Sequence, residues 1–196
     1  MSQDEKKTLL KPYKIGFLHN YGTNENFIFD DLDYTHTTNT YKGQAFYQLT
    51  RWKKIDIELI VQPQVQFIKH QLINKHYVLP SEENYLDKRA EFTQLKRMNL
   101  YALEFGFALK KEIIKKLDLQ ATISLGFSYI DDRTERLAKG FTFIENFSLG
   151  FSHNTFKNYF IYIGTNFGHA SNLNFQKPNE GHNIQGIEIG FSYLLK

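Results

Sequence analysis

A serine hydroxyl becomes a useful nucleophile when a neighbouring base takes its proton, and imidazole titrates in the range that suits this task. His169 and Ser171 lie two residues apart in the run 159–172. On an extended chain both side chains leave the same face. Such a pair can carry acyl transfer through a covalent intermediate, provided that a third group orients the imidazole. The same spacing occurs in many unrelated proteins, where it is no more than a polar pair at a surface. Arg133, Arg136 and Lys139 form a second group. They suit either a phosphate clamp, because arginine binds phosphate bidentately, or an ordinary solvated loop. The seven histidines show no metal-ligand spacing with carboxylates. His19, His36, His70, His76, His153 and His182 read as loop or rim residues, so neither a metal nor another cofactor is expected. Cysteine is absent, which excludes disulfides and thiolate sites, and a net charge of +3 is too mild for a nucleic-acid partner. No Gly-rich phosphate loop is present.

Strands have to hold these side chains, and parity in the numbering reveals them. In the segment 117–129 the odd positions read Leu117, Leu119, Ala121, Ile123, Leu125, Phe127 and Tyr129, against Asp118, Gln120, Thr122, Ser124, Gly126 and Ser128. Segments 55–67, 101–109, 141–151, 159–171 and 187–195 alternate likewise, and weaker candidates at 13–17 and 43–51 bring the total to eight. The longer connections, 20–40, 73–98, 131–140 and 172–183, then fall at one end. Short links near 53–54, 110–116 and 153–157 fall at the other, with 110–116 read as a charged turn rather than an amphipathic helix.

One face of these strands is bulky and apolar over about 9–11 residues, enough to cross a bilayer at a tilt. The other mixes small residues with Asp56, Glu58, Glu104, Asp118 and Glu188, as suits the filled lumen of a small barrel. A soluble barrel would reverse the faces. The aromatic content of 16%, with 18 Phe and 12 Tyr, fits strands and membrane interfaces. The mean hydropathy of −0.46 does not contradict this, because alternation hides the apolarity. No apolar run is long enough for a transmembrane helix. The expected fold is therefore all-β: an eight-stranded antiparallel up-and-down transmembrane barrel forming a single domain over 1–196, with both termini periplasmic. The start, Met1-Ser2-Gln3-Asp4-Glu5-Lys6-Lys7, lacks the apolar core of a signal peptide, so the chain reads as a mature form. His169 and Ser171 then extend the lipid-facing stripe at its outer end, an odd place for polar groups unless the substrate is itself a lipid.

The stretch His169-Ala170-Ser171-Asn172, followed by Pro178-Asn179-Glu180-Gly181 and Asn183, resembles the active-site signature of the lipid A 3-O-deacylases, also called acyloxyacyl hydrolase-like proteins. The run Thr134-Glu135-Arg136-Leu137-Ala138-Lys139-Gly140-Phe141 is similar to Bacteroidetes-type members. The similarity covers the C-terminal third, and upstream it rests on the strand pattern and Gln62-Pro63-Gln64. The resemblance implies an outer-membrane barrel with a His-Ser-Glu triad on its outer surface, facing the outer leaflet. By position, Ser171 would be the nucleophile, His169 the general base, and Asn172 part of the oxyanion hole. Two departures matter. Asn183 stands where the family has Glu; it can hold the imidazole tautomer but adds no charge. Asn174 stands where the family commonly has a Gly whose amide serves the oxyanion, and asparagine tolerates left-handed backbone.

Other acids are weighed against Asn183. Hairpin counting puts Glu145 about four residues below His169, on the order of 13 Å at strand rise. Glu180 falls in a solvated loop, and Glu188 faces the lumen. The Arg133, Arg136 and Lys139 group would serve the phosphates of lipid A. The implied activity is a serine esterase releasing an acyl chain from lipopolysaccharide, its partners being that substrate, outer-membrane lipid and at most a second copy of the chain. The alternative is a non-catalytic structural or recognition barrel in which Asn183 marks a decayed site.

Overall fold

The computed structural model describes residues 11–25 and 30–195, so the reading of residues 1–7 lies outside it. Eight antiparallel strands close on themselves: β1 (Lys14–Thr23), β2 (Tyr34–Trp52), β3 (Ile55–Leu72), β4 (Lys96–Ile114), β5 (Leu117–Ile130), β6 (Gly140–Phe156), β7 (Tyr159–Ser171) and β8 (His182–Leu194). Every expected strand is present, and several run further than the alternation showed. Strand β2 begins at Tyr34, inside the stretch assigned to an outer loop. Strands β4 and β6 continue to Ile114 and Phe156, which leaves two-residue links at 53–54, 115–116 and 157–158. Lys53 and Lys54 both have positive φ, at 45° and 70°, the backbone that a tight hairpin matching strand twist demands. A register irregularity precedes each link, at Gln48/Thr50, Glu112/Ile114 and Asn154/Phe156. Such bulges sharpen the local twist near the barrel rim.

The faces divide as alternation requires. Outward are Phe107 (50% exposed), Ile123 (64%) and Ile189 (58%), a wall that only a lipid solvent leaves unpenalised. Inward, charge is paired. Glu58 accepts from Lys110 at 2.8 Å, from Lys14 at 3.5 Å and from the Tyr13 hydroxyl. Glu104 accepts from Lys42 at 3.0 Å, Gln64 at 2.7 Å, Asn146 at 3.0 Å and the Ser124 hydroxyl. Above these networks, Ile68, Met98, Leu100, Ile130 and Ile144 close the outer end of the lumen, and Leu137 from the β5–β6 loop joins them.

The outer connections carry structure that periodicity did not show. A helix, α1 (Tyr85–Phe92), lies between β3 and β4, and its Phe92 packs with Leu72 and Val78. Arg136 ties the loops together through Asp31 at 2.9 Å, Glu180 at 3.5 Å and the Gly181 carbonyl at 3.1 Å. Leu137 and Asn179 form an isolated bridge between the β5–β6 and β7–β8 loops.

Candidate active site

Strand register assembles the site. His169 on β7 is paired with Asn183 on β8 and with Glu145 on β6. Directly opposed residues of antiparallel strands have Cβ atoms about 4.5–5.5 Å apart, so the imidazole sits between a carboxamide and a carboxylate on the outer face. Asn183 Oδ1 accepts from His169 Nδ1 at 2.7 Å. That bond places the ring proton on Nδ1 and leaves Nε2 with a lone pair, the form a general base requires. Glu145 is therefore beside His169 rather than about 13 Å below it, as hairpin counting had it. The difference comes from β6, which continues to Phe156 before a two-residue turn and so shifts the pairing.

Ser171 shares the parity of His169 and pairs with Phe143. It is 8% exposed. Among the described residues no hydrogen bond joins it to His169. Catalytic hydrogen bonds are often long without substrate and tighten when it binds.

The turn after β7 is held by Asn172. Its backbone N–H donates to Asn179 Oδ1, and its Nδ2 donates to the Gln176 carbonyl at 2.7 Å and the Pro178 carbonyl at 3.4 Å. These donors are committed to the loop. Leu173 and Asn174 then take left-handed backbone, with φ of 52° and 64°. Gly181 closes the turn at φ +72°, where a Cβ would lie 2.3 Å from the Ala170 carbonyl oxygen and 3.0 Å from His169 Cε1. Gly181→Ala is expected to shift the turn and the imidazole beside it and lower turnover about 10–100-fold. Kinetics on barrel that still shows its folded mobility on gels would check this.

A trough of about 640 Å³ leads sideways from His169 over the outer wall. Two strand-crossing rows form it. One runs from Asn183 through His169, Glu145 and Leu125 to Phe105; the other runs from Phe167 through Phe147 and Ile123 to Phe107. The head is polar and the remainder is hydrocarbon.

The remaining candidates lie elsewhere. Glu180 accepts from the Tyr77 hydroxyl and pairs with Arg136, so it is engaged in the cap of loops. Arg133 forms a two-point pair with Glu91 at 2.6 and 3.2 Å, and its hydrogen bonds hold the Glu91 carboxyl below the usual carboxylate range. Arg133 and Arg136 are thus both paired with carboxylates, and Lys139 is exposed. Glu188 is buried in the lumen beside Tyr162 at 3.3 Å. His36, His70 and His182 are not rim residues: all three are buried inside the barrel and touch one another. Their even numbers, on strands whose even positions face inward, were the available signal.

A closed ring of eight strands, with hydrocarbon outside, paired charge inside and a polar site on its wall, defines a small transmembrane β-barrel of the outer-membrane type. Residues 74–192, more than half of the chain, match the model of the family described as lipid A 3-O-deacylase (PagL), and the chain belongs to that family. It is a protein of the cell outer membrane. The crystal structure of the outer membrane enzyme PagL is similar with a TM-score of 0.59 at 9% identity, over 93% of this chain and 99% of that one. Neisserial surface protein A is similar with a TM-score of 0.47 at 12% identity, over 93% of this chain and 95% of that one. No curated protein sequence matches the chain.

Proposed function

We propose that this barrel is a serine esterase that removes an ester-linked acyl chain from lipid A at the outer leaflet. One observation carries the reading: Asn183 fixes His169 in the base-competent tautomer at the head of an apolar trough. The acyl chain lies along the Phe105–Phe107 side of that trough, in the hydrocarbon layer, and its ester reaches the polar head. Ser171 Oγ attacks the ester carbonyl while His169 Nε2 takes the hydroxyl proton. The tetrahedral intermediate collapses as imidazolium gives its proton to the departing sugar oxygen, which leaves as a hydroxyl. Water, activated by the same nitrogen, then hydrolyses the acyl-enzyme and releases a fatty acid. With the Asn172 donors engaged in the loop, the Asn174 amide is the candidate for the oxyanion. The 3-O position is inferred from the family alone.

The roles around the imidazole divide in two. Asn183 orients the ring, and Glu145, opposite it on β6, supplies the negative charge that favours imidazolium. Asn183→Ala is expected to lower kcat about 10²–10⁴-fold, the range of orienting residues in other triads. Glu145→Gln should cost about tenfold, and Asn183→Glu should raise kcat by a comparable factor, because charge on the orienting residue favours imidazolium. Initial rates of fatty-acid release measure all three.

The shielding of Ser171 favours a second reading, a non-catalytic barrel. Labelling with a fluorophosphonate in detergent separates the two. An esterase reacts at Ser171, whereas a folded barrel that stays unlabelled and leaves lipid A intact by mass spectrometry is not an enzyme of this kind.

A further inference from the structure

Behind the wall that bears His169, three imidazoles meet inside the lumen. His36 on β2, His70 on β3 and His182 on β8 are 4%, 0% and 2% exposed, and one ligand atom of each lies within 4.8 Å of the others. His36 Nδ1 and His70 Nδ1 are 3.2 Å apart. Nitrogens bound tetrahedrally to zinc at about 2.0–2.1 Å sit about 3.3 Å from one another, so this pair is already at ligand spacing. Closing the widest gap takes a ring rotation that moves one nitrogen by about 1.5 Å.

Two of the rings are tethered from outside by the β5–β6 loop. Both oxygens of Glu135 accept from His70 Nε2, at 2.8 and 3.0 Å, and His182 Nε2 bonds the Thr134 hydroxyl at 2.9 Å. Metal-bound imidazoles have this arrangement, with the remote nitrogen anchored to a carboxylate or another polar group. Two features are unbalanced without a cation. The Glu135 side chain is 1% exposed and turns its charge to a single imidazole. His182 Nδ1 is buried with no hydrogen-bond partner, so either tautomer strands a polar group there. A proton on His70 would answer the first feature and leave the second.

We propose that His36, His70 and His182 form a divalent transition-metal site, best suited to zinc, inside the outer end of the barrel. Three neutral imidazoles suit zinc as they do copper, nickel and iron, and a tetrahedral arrangement with one position open is the one zinc adopts. A cavity of about 20 Å³ that borders His36 and His182 has room for one water to fill it. The ion would balance Glu135 through His70 and give His182 Nδ1 a partner. It would clamp β2, β3 and β8 together just behind Asn183, the residue that follows His182. The role is structural, since the three ligands occupy inward-facing positions of their strands whereas the trough lies on the outer face, although the cavity also borders His169.

The test uses untagged barrel, refolded in detergent, stripped with EDTA and titrated with zinc chloride. Bound metal is counted by mass spectrometry after gel filtration, and Co²⁺ serves as the spectroscopic probe. The expected result is one zinc per barrel and Co²⁺ bands of a four-coordinate nitrogen site. His70→Gln and His182→Gln should bind on the order of a hundredfold more weakly or worse, and Glu135→Gln, which keeps all three rings, about 10–100-fold more weakly. Ser171→Ala should bind as the wild type does. Heat-dependent gel mobility reports which variants fold. Should neither histidine variant fold, the wild-type Co²⁺ spectrum and the Glu135→Gln comparison decide the matter. Substoichiometric zinc on folded wild type, as a water in the cavity would give, overturns the proposal. So does unchanged affinity in a folded His182→Gln or Glu135→Gln barrel.

Discussion

Ser171→Ala is expected to lower lipid A deacylation by about 10⁴-fold or more, with the barrel folded as before. The size follows from how nucleophilic hydrolases fail: when the attacking atom is removed, only binding and oxyanion stabilisation remain, and losses of about 10⁴–10⁶ result. The substitution deletes one hydroxyl that makes no hydrogen bond to His169, so little stability goes with it. Mass spectrometry of lipid A exposed to the two proteins reads the acyl loss, and fluorophosphonate labelling reads the nucleophile directly. Equal acyl loss from both would remove Ser171 from the mechanism. His169→Ala in the Ser171→Ala background should add little, because groups that act on the same step are not additive.

The second large effect concerns stability. Glu104 is fully buried and accepts from Lys42, Gln64, Asn146 and Ser124. Glu104→Leu removes the acceptor, leaving the Lys42 ammonium, 6% exposed, without its hydrogen-bonded carboxylate and with the Glu188 charge as its remaining neighbour. Breaking one side of a buried ion pair typically costs about 3–5 kcal/mol. Urea titration of the refolded barrel, followed by heat-dependent gel mobility, should show the loss. Adding Lys42→Met should recover part of it, since it removes a buried ammonium that has lost its hydrogen-bonded carboxylate. A Glu104→Leu barrel as stable as wild type would mean that the lumen admits enough water to solvate Lys42.

How much of this could be read beforehand depends on the range of the interaction. Alternation is local: 117–129 shows a lipid face and a lumen face without reference to any other strand, and eight such segments of even number close a ring. The His169–Ser171 pair on one face followed from the same parity. Helix α1 escaped because it is short and amphipathic only weakly, held by Phe92 against Leu72 and Val78 rather than by its own pattern.

The amino-acid sequence by itself determined the barrel, its inside and outside, and which strand bears the candidate nucleophile and base, because side-chain direction on a strand has a period of two. Only the tertiary structure decided who stands beside whom. Register depends on where the turn falls and on bulges: β6 runs on to Phe156 while β7 still begins at Tyr159, which moves the turn's centre by about two residues and the partner by about four. That is why Glu145 lies opposite His169. It is also why His36, His70 and His182, far apart along the chain, share one point in the lumen.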